Sequence, residues 1–141
     1  MQTLILIILL APSLNMTRPL DAISLKNKLD GKWVTVRLVI NGADLPEAAF
    51  KNQQLIISDT TYTFTAESVD KGVVKYTENK IDIYGKDGVN AGNHFTAIYK
   101  LGSDGLLSIC YNLAGDHYPE DFETKGKPSY FLAVFKKEES R

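Results

Sequence analysis

Gly31-Lys32-Trp33 opens a run of β-patterned residues, and seven more short runs of the same kind follow before the chain ends. They cover 32–40, 53–59, 61–66, 72–77, 80–84, 94–100, 105–111 and 129–137, each rich in Val, Ile, Thr, Tyr or Phe. Turn chemistry separates them: Asn41-Gly42, Asp59 before Thr60, Asp70-Lys71-Gly72, Asp87-Gly88 and Asp104-Gly105 tolerate positive φ or bond their own backbone. Short strands with mostly tight connections favour an up-and-down antiparallel barrel, because closure removes every sheet edge. The expected fold is therefore all-β, an eight-stranded barrel. Its interior at that strand number is either filled or holds one small ligand.

At 141 residues the chain has room for one domain with a real core and not for two. The first 22 positions read differently from the rest. Leu4 to Ala11 is an uninterrupted apolar run, and Ala11-Pro12-Ser13 places small residues where a signal peptidase reads them. No Lys or Arg precedes the run, so the terminal amine is its sole positive charge. The run is far shorter than the ~20 residues of a membrane-spanning helix, so a cleaved leader is expected and a permanent span is not. Residues 1–22 are thus read as leader and 23–141 as the barrel domain, in an extracytoplasmic protein. From Pro19 to Leu29 the pattern predicts a short N-terminal helix, started by the proline and stopped near Gly31, that would plug one barrel end.

Sixteen basic and 17 acidic residues give a net charge of −1 and are dispersed along the chain. No basic stripe with interleaved aromatics is present, which argues against a nucleic-acid partner. Cys110 is a lone cysteine inside a strand pattern and is read as a small buried hydrophobe.

Three longer connections draw attention, since binding and catalysis concentrate in loops. In 41–52, Asp44-Leu45-Pro46-Glu47 has the capping-box pattern and predicts a helical turn through Phe50, a lid over one barrel mouth. In 85–93 three glycines predict mobility. In 112–128, Asp116-His117-Tyr118-Pro119-Glu120-Asp121-Phe122 gathers four ionisable side chains besides the tyrosine and is the best local candidate for chemistry. That chemistry does not assemble on paper. Asp116 and His117 are half a triad, and Ser103, Ser108 and Ser129 lack the surroundings that activate a serine. His94, His117 and Glu120 have no recognised metal spacing, and the glycines of 85–92 lack the Lys-Ser/Thr and helix of a phosphate cradle. No enzyme, metal or cofactor is expected.

Gly31-Lys32-Trp33, the Asn41-Gly42 turn, Ile81-Asp82-Ile83, Ala97-Ile98-Tyr99-Lys100-Leu101, Gly105 to Tyr111, Pro119 with Phe122, and Phe135-Lys136-Lys137 together resemble a bacterial lipocalin-like domain family of exported proteins with no assigned activity. The resemblance spans 29 to 137. Tyr118 stands where that family usually has Arg before the proline, so no role that needs a cation there carries over. By resemblance, Trp33 plugs the closed end and a basic residue of the last strand, Lys136 or Lys137, lies across its ring, a structural arrangement.

Strand alternation then leaves two readings of Arg37. With Trp33 inward, Thr35, Arg37 and Val39 follow it, and an inward guanidinium needs a carboxylate from Asp82 or from a ligand. A bulge after Trp33 would instead turn Val34, Val36, Leu38 and Ile40 inward and leave Arg37 in solvent. The candidate ligand contacts are Arg37, Phe50 in the lid, and the strand aromatics Tyr62, Phe64, Tyr76, Phe95 and Tyr99. The expected function is binding of a small apolar or amphipathic molecule. The alternative is a filled barrel serving as an extracytoplasmic interaction or structural module.

Overall fold

The computed structural model describes residues 28–139. Its strands are β1 (Gly31–Ile40), β2 (Ala43–Asp44), β3 (Gln54–Ser58), β4 (Thr61–Thr65), β5 (Val69–Thr77), β6 (Lys80–Asp87), β7 (His94–Leu101), β8 (Leu106–Asn112) and β9 (Tyr130–Lys137). Apart from β2, each pairs antiparallel with its neighbour in sequence order, and β9 pairs back onto β1 to close an eight-stranded barrel. β2 is a two-residue flap folded onto the end of β1 through the Asn41-Gly42 turn, where φ is +48° and +75°. Both central residues of that hairpin need positive φ, which Asn and Gly supply.

All eight expected strands are present. Two boundaries move by more than one residue, and both matter for the interior. Asp70-Lys71-Gly72, expected as a turn, lies within β5; the β4–β5 connection is the short 66–68 segment. Gly85 to Asp87, expected as the start of a mobile loop, extends β6. The predicted capping box is also absent: Asp44 belongs to β2, and Pro46 precedes a 3-10 turn at Glu47–Ala49 without a side-chain cap. The expected signal peptide and nearly all of the predicted N-terminal helix fall outside the described residues. No helix among the described residues is long and apolar enough to cross a membrane.

The two barrel ends differ. Connections 59–60, 78–79 and 102–105 are tight and share one end with Leu29 and Trp33. Trp33 is 1% exposed, its indole N–H donates to the Leu29 carbonyl at 2.9 Å, and the Lys137 ammonium lies 5.6 Å from its ring centroid. Lys137 therefore takes the place over the indole; Lys136 is exposed beside it. The chain leaves by the same end, where the Glu138 amide donates to the Lys32 carbonyl. Connections 41–53, 66–68, 88–93 and 113–129 gather at the opposite end.

β1 carries the bulge that the sequence left open, at a different position. Trp33 and Thr35 pair with Lys137 and Phe135, then the register slips at Val36 so that Arg37 faces Val134 and Leu38 faces Ala133. Trp33, Thr35 and Leu38 all point inward, while Val36 is left 42% exposed. One extra residue reverses the face of everything beyond it.

A second apolar cluster lies outside the barrel wall. Val39, Ile98, Cys110, Tyr130, Leu132 and Val134 face outward and are covered by the 113–129 connection, whose Tyr118 and Phe122 pack on them. Gly42 N–H donates to Thr124 Oγ1 and Gly126 N–H to Asn41 Oδ1, so this strap is tied across to the β1–β2 turn.

Candidate functional site

The interior is not filled. A cavity of about 310 Å³ lies above the Trp33 plug. Its floor and walls are inward residues of successive strands: Leu55 and Ile57 of β3, Tyr62 and Phe64 of β4, Val74 and Tyr76 of β5, Ile81 and Ile83 of β6. Phe95, Ile109, Tyr111, Phe131, Ala133 and Phe135 complete the ring, with Leu38 entering after the bulge. Alternation of side chains along each strand produces this lining, since every second residue of an antiparallel barrel faces in.

Gln53, Asp70, Asn90 and Leu113 line it at the end carrying the long connections. Gln53 Oε1 accepts from the Thr35 hydroxyl at 3.3 Å. Asp70 is 5% exposed and its Oδ1 accepts the Asn90 backbone N–H at 3.1 Å, which pins the 88–93 connection over the mouth. That connection is compact: Gly92 N–H donates to Gly85 O and Gly85 N–H to Asn93 O. A Cβ at Gly85 would fall 1.9 Å from the Asn90 carbonyl oxygen, so the glycine makes this approach possible. Among the described residues, no Lys, Arg or His lines the cavity.

The phenols of the wall are held neutral. Burial pushes Tyr62 above its ordinary pKa, with the Asp70 carboxylate adding to the effect, and burial likewise raises Tyr76 and Tyr111. Tyr111 stacks on Phe131 with centroids 4.4 Å apart. Tyr76 meets Tyr99 edge to face at 6.1 Å. Among the described residues, the Tyr76 hydroxyl is the one buried side-chain polar atom with no hydrogen-bond partner.

Four expected contacts, Tyr62, Phe64, Tyr76 and Phe95, line this cavity. Three do not. Arg37 is turned outward by the bulge and makes a two-pronged contact with Asp44, Nε to Oδ1 at 2.6 Å and Nη2 to Oδ2 at 3.3 Å. That hydrogen bond raises the guanidinium pKa and lowers that of the carboxyl group. Asp82, the expected internal partner, sits on the outer face of β6, where it accepts from the Tyr118 hydroxyl and lies 2.7 Å from His94 Nε2. Phe50 is buried in the barrel core away from the cavity lining, and Tyr99 lies at the closed end, its hydroxyl donating to the Glu78 carbonyl. The polar contacts missed from sequence are Asp70, Asn90 and Gln53, and the aromatic ones Tyr111, Phe131 and Phe135; Asp70 was missed because Asp70-Lys71-Gly72 carries the composition of a turn.

The 112–128 segment, the expected candidate for chemistry, is tied to the barrel wall by its polar side chains. His117 bridges Asp116 Oδ1, 2.9 Å from Nδ1, and the Tyr130 hydroxyl, 2.8 Å from Nε2. Asn112, fully buried, donates to Asp116 Oδ1 and the His117 carbonyl, and its own Oδ1 accepts from Ala114 N–H. These contacts, with the Thr96 hydroxyl donating to the His117 carbonyl, hold the strap against β7 to β9. The Cys110 thiol, buried beneath the strap, is raised by that burial to about 11.

No protein-family model matches the chain, and no curated protein matches it.

Proposed function

We propose that this protein is an exported, lipocalin-like barrel that takes one small apolar or amphipathic molecule into its interior and catalyses no reaction. The cavity carries the reading. A volume of about 310 Å³ stands at the lower end of the ~300–1,000 Å³ usual for small-molecule sites, and its wall is aromatic and aliphatic with a few polar groups. Burying eight to ten methylenes contributes about 6–8 kcal/mol at ~0.8 each before ordering costs, which permits micromolar binding at best. Export rests on the Leu4–Ala11 run and the small residues after it. A filled barrel is the weaker reading because its interior would leave no such volume.

Titration with the neutral fluorophore N-phenyl-1-naphthylamine tests the proposal. Saturable one-to-one binding is expected, with a melting temperature that rises with probe concentration. Ala133→Phe, which places a ring in the cavity, should abolish it while the chain still folds. Absence of saturable binding by the native protein overturns the reading.

A further inference from the structure

The charge inside the barrel is the wrong sign for a fatty acid. We propose that the cavity selects an amphiphile with a cationic head, an aliphatic ammonium, held at the mouth by Asp70. This rests on the cavity being a binding site and names what it takes.

Asp70 faces inward from β5, is 5% exposed, and has as its hydrogen-bond donor the Asn90 backbone amide. A buried carboxylate with no cationic partner is costly, and among the described residues no Lys, Arg or His lines the cavity to compensate it. A neutral Asn or Thr at this position would pin the 88–93 connection equally well, so the loop anchor does not account for a charge. Tyr62 cannot neutralise it, being an uncharged phenol directed by burial to remain so. A ligand ammonium would supply the missing positive charge and further donors, and charge-assisted hydrogen bonds are about twice as strong as neutral ones. An anionic head would add like charge in a place of low dielectric.

The geometry also orders the ligand. Asp70 sits at the end bearing the long connections, and Tyr76 near the β5–β6 turn at the closed end. Along β5 they are separated by roughly 20 Å at about 3.3 Å per residue. An apolar chain therefore runs inward past Phe64, Phe95 and Ile83 while its head stays at the mouth.

The test is displacement of N-phenyl-1-naphthylamine at pH 7 by decylamine, decanol and decanoate, all below their micellar concentrations. Decylamine is expected to compete at least tenfold more tightly than decanoate, with decanol between them. Asp70→Asn, which keeps the acceptor for Asn90, should bring the amine-to-alcohol affinity ratio down to about one, whatever its effect on the probe's own affinity. Decanoate binding as tightly as decylamine to the native protein overturns the proposal without any variant. An amine-to-alcohol ratio unchanged in Asp70→Asn overturns it as well. If the probe and decanol bind but the amine has no preference, the head-group inference falls and the cavity reading stands. If nothing binds saturably, both fall.

Discussion

Gly72 on β5 lies directly across from Tyr62 on β4, and the phenol ring occupies the space where a side chain would stand. A Cβ at Gly72 would come within 2.6 Å of the Tyr62 ring and 2.1 Å of the Tyr84 carbonyl oxygen. The ring has some freedom to move toward the cavity; the backbone oxygen has little. Gly72→Ala is expected to destabilise the fold by about 1–3 kcal/mol, as overpacked cores do, and to weaken probe binding as Tyr62 is pushed inward. Urea melts and the probe titration read the two effects separately.

The plug should be expensive to remove. Trp33→Ala deletes the largest fully buried side chain and its hydrogen bond to Leu29, and a loss of about 3–5 kcal/mol is expected. Lys137→Ala should cost far less, since the ammonium lies over the ring at an exposed position. Denaturant unfolding of both variants checks the ordering.

Position in the barrel predicts which aromatics matter for binding. Phe64→Ala and Phe95→Ala alter the cavity wall and should change probe affinity, whereas Tyr99→Ala, Phe50→Ala and Arg37→Ala should leave affinity close to native once stability is matched. A large loss in Arg37→Ala would place the guanidinium at the ligand, against its pairing with Asp44.

How far the sequence led to this site is clearest on β1. Alternation separates inner from outer faces when one face is wet, but Val39, Leu132 and Val134 face outward and are buried by the strap. Both faces of β1 therefore read as apolar, and the Val36 bulge left no compositional trace. Strand count, closure and the identity of the plug were legible because they depend on patterns repeated along the chain. Depth within the barrel was not: Tyr99 has an inward position on β7, as the alternation implies, yet it sits below the cavity, and register alone carries no height. Asp70 was hidden by its neighbours, since Asp-Lys-Gly serves a turn and a strand end equally well.

Alkaline pH should loosen the strap. The hydrogen bond from Tyr118 to Asp82, with burial second, raises the phenol from its ordinary 10 to about 12. A group raised on folding contributes stability that is complete below its unfolded pKa and is lost as pH rises through the folded one. Melting temperature should therefore fall between pH 10 and 12, and Tyr118→Phe should fall less steeply over that interval, leaving the other buried tyrosines to account for the remainder.

Cys110 should be inert until the strap opens. Its burial and raised pKa predict negligible reaction with a thiol reagent at pH 8 in the native protein and full reaction in denaturant. Rapid native modification would show that the 113–129 strap does not cover β8.

Lys32 and Glu138 are joined by a backbone hydrogen bond and an ion pair of 3.1 Å at the plugged end, so the chain enters and leaves the barrel on the side away from its mouth. A protein anchored to a sensor surface through residues beyond Glu138 would thus present its opening to the bulk solution. Immobilisation by that end and by a lysine near the mouth, such as Lys125, should give different ligand on-rates, which makes orientation itself a readout of where molecules enter.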